Sequence, residues 1–566
     1  MLRATARTVL FLSATAAVLA AAEPAASAPD DRPTGRLISR VVETRVEFRA
    51  DDAFLDSLYA AAETTSRANE QNFAGRPVLI EGGGYNGIWI ETQPMGGEMN
   101  AKRNMTTAFN NTLLFIEQQL PNGRYPGLIR HHARDRKLLP IYTHTQGFCF
   151  PFHALNLWYW NKKRDTAYLG LLYDSLEKFD AYLWRYRDSD GDGCLETWSV
   201  WDTGEDNSNR FTGTKLNRDG WPGETPPDDP VFPIESMDFM AYSYDARATL
   251  ARLSVLLGNG REREWLARAA AVRDKLRAYL WDDARGACFD RDRDNKIIPA
   301  LLHNNLRAMH HGVFTPEMAG RFVREHLFNP DEFWTPFPLP SVAIHDPVYR
   351  AAINDWSGEP MGLTYQRAIR ALENYGLNAE MVLIGEKLIA NVGRTKTFPQ
   401  QWDPHTGVPS LWKNRVDYGP TLLAVLEYIA RFYGVTVEAD ELHWGALGHT
   451  PLAAGGGAGA DADDARAAAN TGAVNAANAS DTAYTQHWDG DAFTIETQNR
   501  RATARVNGRE IFQTDCGVRV DTDWSGAVRR VVNLRPGPAS IRFRAGGRET
   551  VLKLERNGVF TFPPAP

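Results

Sequence analysis

The chain has 566 residues, of which 43% are hydrophobic and 23% charged. This is the balance of a globular protein, and the length is sufficient for two or more domains. The net charge of −7 argues against a nucleic-acid partner, because proteins that bind nucleic acids usually present a basic face. The four cysteines are widely spaced and contain no CxxC pair, which predicts buried, unpaired thiols.

The N-terminus has the pattern of an export signal. Arg3 and Arg7 precede an apolar run at 9–19, and small residues follow as far as Ala28. The run is too short to span a bilayer comfortably, although a retained anchor is the alternative. We expect residues 1–28 to be a cleaved signal peptide, and the mature protein to be secreted or periplasmic without a membrane attachment.

From about residue 50 to 437, apolar residues recur at intervals of three and four, which predicts amphipathic helices. Gly258, Gly393 and Gly434 stand where a glycine commonly ends a helix. Long loops rich in Gly, Pro, Trp, Asp and Asn separate these helices. The pattern predicts a barrel of paired helices with a functional mouth over residues 40–440.

The C-terminal part has a different composition. Residues 452–480 are mostly Ala, Gly, Asp and Asn, so we expect a flexible insertion or linker there. From 483 to 566 the apolar period changes to two, and Asn507-Gly508 is a strong hairpin signal. We expect a small C-terminal β-sandwich domain with a supporting role, carbohydrate binding being the alternative.

The stretch from Asp188 to Arg210 gathers acids, Asn and two Trp in one irregular segment. Its run W-x-x-W-D-x-G-x-D-N-S, at 198–208, resembles the catalytic-acid loop of the helical-barrel glycosidases that include trehalases, mannosylglycerate hydrolases and processing α-glucosidases. The resemblance implies a mainly α protein whose catalytic domain is an (α/α)6 toroid. It also implies that Asp206, which precedes Asn-Ser, protonates the leaving oxygen of a glycoside.

Three later segments resemble motifs of the same group, in the same order: 279–292, 353–360 and 400–407. A glycine-rich segment at 82–92 leads to Trp89 and an acid, where related barrels place a sugar contact. The candidate sugar contacts are Trp89, Trp201, Asn207, Arg210, Trp356, Gln400, Gln401 and Trp402. A core position for the Trp residues and a salt bridge for Arg210 are the alternatives.

The chain departs from the group at Gln400, where those enzymes carry the Glu that activates water. A neutral amide cannot take a proton in this way. Glu91, Glu359 and Asp403 are therefore equal candidates for the general base. The first hypothesis is an exo-acting, inverting glycosidase, expected as a monomer, that acts on an oligosaccharide or polysaccharide. A non-catalytic sugar-binding protein on a decayed glycosidase fold, a phosphorylase and a lyase are the alternatives.

The acids Asp188, Asp190, Asp192 and Glu196 resemble part of a calcium-binding loop. The full twelve-residue pattern requires Glu at the position of Ser199. A plain Asp-Gly turn is the alternative. Calcium is therefore the one candidate cofactor, and the proposed chemistry requires none.

Overall fold

The computed structural model describes residues 38, 40–132, 137–216, 220–451 and 479–563. The predicted signal peptide at 1–28 lies outside the described residues. The predicted linker at 452–480 also lies outside them, except for its last two residues.

Twelve α-helices occupy the described part of the chain between 53 and 433. They are α1 (Ala53–Ala68), α2 (Gln93–Asn100), α3 (Met105–Glu117), α4 (Pro151–Trp160), α5 (Thr166–Tyr186), α6 (Met237–Leu257), α7 (Glu262–Tyr279), α8 (Asn304–His310), α9 (Pro316–Phe322), α10 (Gly362–Glu373), α11 (Asn378–Thr395) and α12 (Gly419–Tyr433). The even-numbered helices contact one another in chain order, from α2 through to α12, and α12 contacts α2 again. These six helices therefore follow one another in a ring.

The burial of the helices explains which of them lie in the ring. Every residue of α2 is buried, as is nearly every residue of α12, whereas α7 buries only one narrow stripe. A helix that is buried on all sides is surrounded by other elements, whereas an amphipathic helix can face water on one side. Five of the odd-numbered helices, α1, α3, α5, α7 and α11, pack on the ring helices, and α9 contacts β10.

Of the three predicted glycine ends of helices, Gly258 and Gly434 directly follow α6 and α12, whereas Gly393 does not end its helix. Gly258 follows α6 with a left-handed backbone (φ 63°), as predicted. Gly393 lies inside α11, which continues to Thr395, and Lys396 provides the left-handed end. A Cβ atom on Gly393 would lie 2.1 Å from Cζ of Phe54, so this glycine allows helix α1 to pack closely rather than ending α11.

The space around the Cα atom predicts opposite effects of an added methyl group at two helical glycines. We expect Gly393→Ala to destabilise the protein by about 1–3 kcal/mol, because the added methyl group overpacks the core against Phe54. In α5, a Cβ atom on Gly170 would meet no atom within 4 Å, so Gly170→Ala should stabilise by roughly 0.5–1 kcal/mol. Urea unfolding of both variants tests this, and equal shifts in the two midpoints would contradict the packing argument.

Within the residues that the structure describes, the β-strands comprise eleven short strands among the helices and two larger sheets. They are β1 (Thr44–Ala50), β2 (Glu70–Phe73), β3 (Arg76–Leu79), β4 (Ile88–Trp89), β5 (Leu128–His131), β6 (Leu138–Ile141), β7 (Glu196–Thr197), β8 (Ile234–Glu235), β9 (Trp281–Asp282), β10 (Ala287–Cys288), β11 (Gln401–Trp402), β12 (Pro409–Ser410), β13 (Val435–Glu438), β14 (Glu441–Ala446), β15 (Thr482–Trp488), β16 (Asp491–Gln498), β17 (Arg501–Val506), β18 (Arg509–Asp515), β19 (Val518–Thr522), β20 (Val528–Asn533), β21 (Ala539–Ala545), β22 (Arg548–Leu554) and β23 (Val559–Thr561).

The two larger sheets pack face to face. One has the order β1-β15-β16-β17-β18-β21-β22 and the other β13-β14-β19-β20-β23. Trp444 of the second sheet lies between Phe493 and Phe512 of the first, with ring centroids 6.2 and 5.9 Å apart. Asn507 and Gly508 both have positive φ and form the turn between β17 and β18, as the sequence predicts.

The sheets extend beyond the boundary expected at residue 483. Strand β1 pairs with β15 along its whole length, and β14 pairs with both β13 and β19. Strands β1 and β13 lie within the range 40–440 predicted for the helical domain, and β14 lies between that range and the predicted linker at 452–480. They join the sheets because their backbone N–H and C=O groups need partners that distant parts of the chain supply.

One continuous apolar core runs from the helices into the sheets. The four cysteines, Cys149, Cys194, Cys288 and Cys516, are buried and unpaired, as predicted. None of the helices in the described ranges is both long and apolar enough to span a membrane.

Candidate active site

The loops that precede the ring helices meet at one end of the ring. Hydrogen bonds between backbone groups join them: Gly147 N donates to Asp202 O at 2.8 Å, Gly362 N to Gln400 O at 2.8 Å, and Gly419 N to Glu81 O at 2.6 Å. Each of these loops leads into a ring helix. The first backbone N–H groups of a helix have no partner within it, and their partial positive charge favours acidic side chains nearby. The site is therefore assembled from segments that are far apart in the sequence.

Asp206 lies on a loop that a buried ion pair fixes in place. Asp202 Oδ2 lies 2.7 Å from Arg187 Nη1, and Asp202 also accepts the backbone N–H of Thr145 at 2.9 Å. Burial tends to raise the pKa of Asp202, but Arg187 and the backbone donors outweigh it and the pKa is lowered. Further along the loop, Trp356 N donates to the carbonyl of Asp206 at 3.3 Å. The position of Asp206 is thus set from two sides.

The side chain of Asp206 is partly exposed and lies near three residues with unusual backbones. Gln146 Nε2 is 3.5 Å from Asp206 Oδ1. Asn207 donates to the carbonyl of Asn354 at 2.7 Å. Gln146, Asn207 and Asn354 all have left-handed backbones, with φ between 55° and 61°. Such conformations cost about 1–3 kcal/mol each and cluster at functional sites.

Glu81 is a second carboxylate whose pKa responds to the charge of Asp206, and it is not among the acids predicted from the sequence. Its side chain is buried. Burial raises its pKa well above the usual value, and the charges of Glu91 and Asp206 raise it further, while hydrogen bonds from Tyr418 and Thr92 oppose the shift. An acid that directly follows the apolar residues 78–80 and precedes three glycines was the available signal in the sequence.

The three glycines after Glu81 are required by a tight turn. Gly82, Gly83 and Gly84 all have positive φ. A Cβ atom on Gly82 would lie 2.3 Å from the carbonyl oxygen of Asp417, and one on Gly83 would lie 2.8 Å from the ring of Tyr418. The turn therefore lets the segment of Glu81 lie directly against the residues that begin α12.

Tyr85 contacts Gln400, and the charges of Glu81 and Asp206 affect its pKa. Its hydroxyl donates to Oε1 of Gln400 and lies 3.2 Å from it, and it lies at the same distance from Oδ1 of Asn354. Burial raises the pKa of Tyr85, and the charges of Glu81, Asp206 and Glu91 add to the effect. Gln400 therefore lies within the same cluster of side chains, although as an amide it has no acid–base role.

The three acids proposed as the base from the sequence each have other partners. Glu91 Oε2 lies 2.8 Å from Arg367 Nη2 in a buried ion pair. Glu359 accepts from the side-chain amide of Gln401 and from Ser410 Oγ at 2.6 Å. Asp403 Oδ1 accepts the N–H and hydroxyl of Thr406, both at 2.8 Å. Hydrogen bonds to its carboxylate lower the pKa of Asp403 in spite of burial.

The roles of these three acids in the fold follow from those contacts. Glu91 packs against the backbone of Gly204, where a Cβ atom would lie 2.3 Å from its carboxylate, so it supports the loop of Asp206. Glu359 accepts a hydrogen bond from the side-chain amide of Gln401, and so fixes the side chain of the residue that follows Gln400. Asp403 stabilises the turn between β11 and β12. The charge of Glu91 is among the causes that raise the pKa of Glu81.

The predicted tryptophan contacts differ in exposure. Trp402 is 1% exposed and packs against Phe337. Trp356 is 3% exposed and stacks on His303 at 5.4 Å between ring centroids. Trp89 is 7% exposed, with the ring of Tyr85 edge-on at 5.5 Å, and Trp201 is partly exposed. Trp89 and Trp201 are therefore better placed to contact a sugar than the other two.

Arg210 lies in a buried cluster of charges behind the loop of Asp206. Its guanidinium pairs with Glu205, lies 2.5 Å from Asp290 Oδ2 and lies 3.6 Å from Asp238 Oδ2. With its side chain 1% exposed, Arg210 holds protein carboxylates rather than facing a ligand.

The four acids of the predicted calcium loop lie together and are joined by a fifth. Asp188, Asp190 and Asp192 each offer a carboxylate oxygen, and these atoms lie within 4.8 Å of one another. Asp190, Glu196 and Glu235 form a second group of the same kind. Glu235, on β8, was not selected from the sequence because it lies 39 residues beyond Glu196.

Comparison with known proteins places the chain in a family. Residues 101–419, more than half of the chain, match the mannosylglycerate hydrolase MGH1-like glycoside hydrolase domain. The chain belongs to this family. It is therefore a glycosidase with a carbohydrate substrate, and the resemblance seen in the sequence is confirmed. No curated protein matches the sequence.

Solved structures show the same fold at low sequence identity. The GH63 mannosylglycerate hydrolase from Thermus thermophilus is 18% identical, with a TM-score of 0.55 over 65% of this chain and 100% of that one. A protein described as a sialidase is 12% identical, with a TM-score of 0.61 over 85% of this chain and 42% of that one. The second likeness extends beyond the family match.

Proposed function

We propose that this MGH1-like protein is a secreted, exo-acting glycoside hydrolase that inverts the anomeric centre, with Asp206 as general acid and Glu81 as general base. The observation that carries the proposal is the cluster around Tyr85, whose hydroxyl lies 3.2 Å from both Gln400 Oε1 and Asn354 Oδ1, while the carbonyl of Asn354 accepts from Asn207, next to Asp206. Besides burial, the charges of Glu81 and Asp206 both raise the pKa of Tyr85. Two carboxyl groups, one protonated and one ionised, are the groups that inverting hydrolysis requires.

The proposed roles follow from the surroundings of each acid. Asp206 is partly exposed on the loop that resembles the acid loop of the helical-barrel glycosidases, so it protonates the leaving oxygen. Glu81 is buried among Tyr85, Tyr418 and Thr92, and in its ionised form it takes a proton from the attacking water. Gln400 can hold that water through its amide but cannot deprotonate it.

Glu81 therefore replaces the acid that the family pattern has at position 400. This removes the reason for a non-catalytic or phosphorolytic alternative, since both rested on the amide of Gln400. Secretion is supported by the pattern at 1–28, and exo action by the long loops that surround the cluster. We further propose that the ring of even-numbered helices, with its odd-numbered neighbours, is a complete (α/α)6 toroid, and that the enzyme acts as a monomer.

A sugar-release screen of the full mature chain tests the proposal. The panel contains α- and β-linked disaccharides, aryl glycosides, mannosylglycerate and glycan ends, with and without phosphate. We expect release without phosphate, loss of release in Asp206→Asn, and an inverted first product by proton NMR. A retained product would refute inversion, and release only with phosphate would assign the chain to the phosphorylases.

A further inference from the structure

A polar cavity of about 180 Å³ lies among the ring helices, away from the catalytic loops. Asp245 of α6 and His311, directly after α8, are buried at its floor, together with Phe152 of α4. Gly312 and Asn374, which come after the ends of α8 and α10, also line it. Because the catalytic loops precede the ring helices, the cavity lies toward the opposite end of α8 and α10. Within the described chain, it shares none of its lining residues with the proposed active site.

Arg370 of α10 lines this cavity without a hydrogen-bond partner. Its side chain is 12% exposed, and its Nε atom is buried with no partner in the described residues. The guanidinium carbon lies 3.1 Å from the centroid of the Phe152 ring, a contact that fixes the group in place. In the described part of the chain, its one ion-pair partner is Glu438, whose Oε1 lies 3.9 Å from Nη1, too far for a hydrogen bond. Since buried polar groups normally have partners, the guanidinium is available to a ligand in the cavity.

The charges around the cavity favour an anion. Asp245 Oδ2 lies 2.9 Å from His311 Nδ1. Burial disfavours the charged form of His311, but the hydrogen bond to Asp245 and the charge of this aspartate help to raise the pKa of His311 to about 9. At the rim, Arg252 is exposed and forms no ion pair within the described ranges. Three cations, His311, Arg252 and Arg370, therefore stand against two anions, Asp245 and Glu438.

Hydroxyl groups line another part of the cavity. Thr249 Oγ1 lies 3.4 Å from Asp245 Oδ1, and the hydroxyl of Tyr244 makes no hydrogen bond to the described residues. We propose that the cavity binds a small sugar acid, whose carboxylate pairs with Arg370 and Arg252 and whose hydroxyl groups bond to Tyr244 and Thr249.

The chemistry and the volume of the cavity both suit such a ligand. A planar guanidinium can donate two parallel hydrogen bonds to a carboxylate. A cavity of roughly 150 Å³ is enough for benzene, and pockets for drug-sized ligands begin at about 300 Å³, so this cavity matches a molecule of monosaccharide size. Binding does not depend on the catalytic groups, because none of those described above lines the cavity.

Isothermal titration calorimetry of the full mature chain with D-gluconate and D-glucuronate tests the site. Their neutral counterparts are D-glucitol and D-glucose, which carry a hydroxymethyl group in place of the carboxylate. We expect at least one of the acids to bind at one site per chain. Its neutral counterpart should bind more weakly by about tenfold or more, because it cannot form the charge-assisted hydrogen bonds to the guanidinium groups. Binding of neither acid, or equal binding of an acid and its counterpart, would overturn the sugar-acid site.

Variants locate the bound acid. Arg370→Gln and Arg252→Gln should each weaken its binding by about tenfold. Arg252 is exposed, so Arg252→Gln should fold normally and release sugar from glycosides as the wild type does. Arg263→Gln is the matched control, because Arg263 is an exposed arginine of α7 outside the cavity, and it should bind the acid as the wild type does. Unchanged binding in both Arg370→Gln and Arg252→Gln, or an equal loss in Arg263→Gln, would show that the acid does not bind in this cavity.

Discussion

Asp206→Asn should lower turnover of glycosides with poor leaving groups by about 10³-fold, and of activated ones such as glycosyl fluorides by less than about tenfold. The reason is that an activated leaving group departs without a proton, so a missing general acid costs little. The measurement is kcat/KM for a matched pair of substrates that carry the same sugar, once the screen has identified it.

Glu81→Gln should reduce turnover of both substrates by about 10²–10⁴-fold, because every substrate needs an activated water. Azide, which attacks without losing a proton, should restore part of the activity on the fluoride. Asp403→Asn is the matched control, since Asp403 stabilises an exposed turn, and it should behave almost as the wild type does. A reversed pattern between Asp206→Asn and Glu81→Gln would exchange the two roles.

The pH dependence provides a check on the same pair. The pKa of Glu81 is raised by burial and by Glu91 and Asp206, so the ionised base is lost as the pH falls through this raised value. The acidic limb of kcat/KM should therefore lie well above pH 4.5, as a property of the coupled pair. Tyr418→Phe removes a hydrogen bond that favours ionised Glu81, and should move the limb to higher pH.

The residues that the sequence predicts correctly are those with a local signal. The apolar periodicity of α6 and the turn at Asn507-Gly508 depend on neighbouring residues, and both appear in the structure. The loop motifs likewise bring Asp206 and Gln400 to one place, near Tyr85. Local pattern is therefore sufficient for element type and for the approximate location of the site.

Other features depend on contacts between distant segments. Glu81 is buried because the turn at 82–84 packs on residues 417 and 418, more than 330 positions away. Gly393 has the sequence context of a helix end, but the chain requires glycine there because the ring of Phe54 packs against its Cα atom. Strand β1 finds its partner 438 residues later, at β15. A single sequence contains no periodicity that reports such pairings.

The cluster around Arg210 also depends on distant segments, and it supports the loop of Asp206 from within. Arg210 and Arg307 are the cations that contact Glu205, Asp238 and Asp290 in the described structure. Burial raises the pKa of Asp290 to about 6 although Arg210 opposes the shift. Burial acts in the same direction on Glu205, but Arg210 and Arg307 lower its pKa well below the usual value. The ionised form of Glu205 thus depends on these guanidinium groups.

Arg210→Met should consequently lower the free energy of unfolding by about 3–5 kcal/mol, because it leaves buried carboxylates without their cation. Arg415→Met is the control: Arg415 forms an exposed pair with Asp417 at 2.6 Å, and its loss should cost at most about 1 kcal/mol. Urea unfolding measures both changes. The deficit of Arg210→Met should shrink as the pH falls. Without Arg210, burial raises the pKa values of the stranded acids in the folded variant above their unfolded values, so these acids take up protons there first. Adding Asp290→Asn to Arg210→Met should restore part of the stability, because it removes one of the stranded charges. A loss no larger than that of Arg415→Met would show that the buried charges are compensated in another way, and the loop of Asp206 would then need a different source of rigidity.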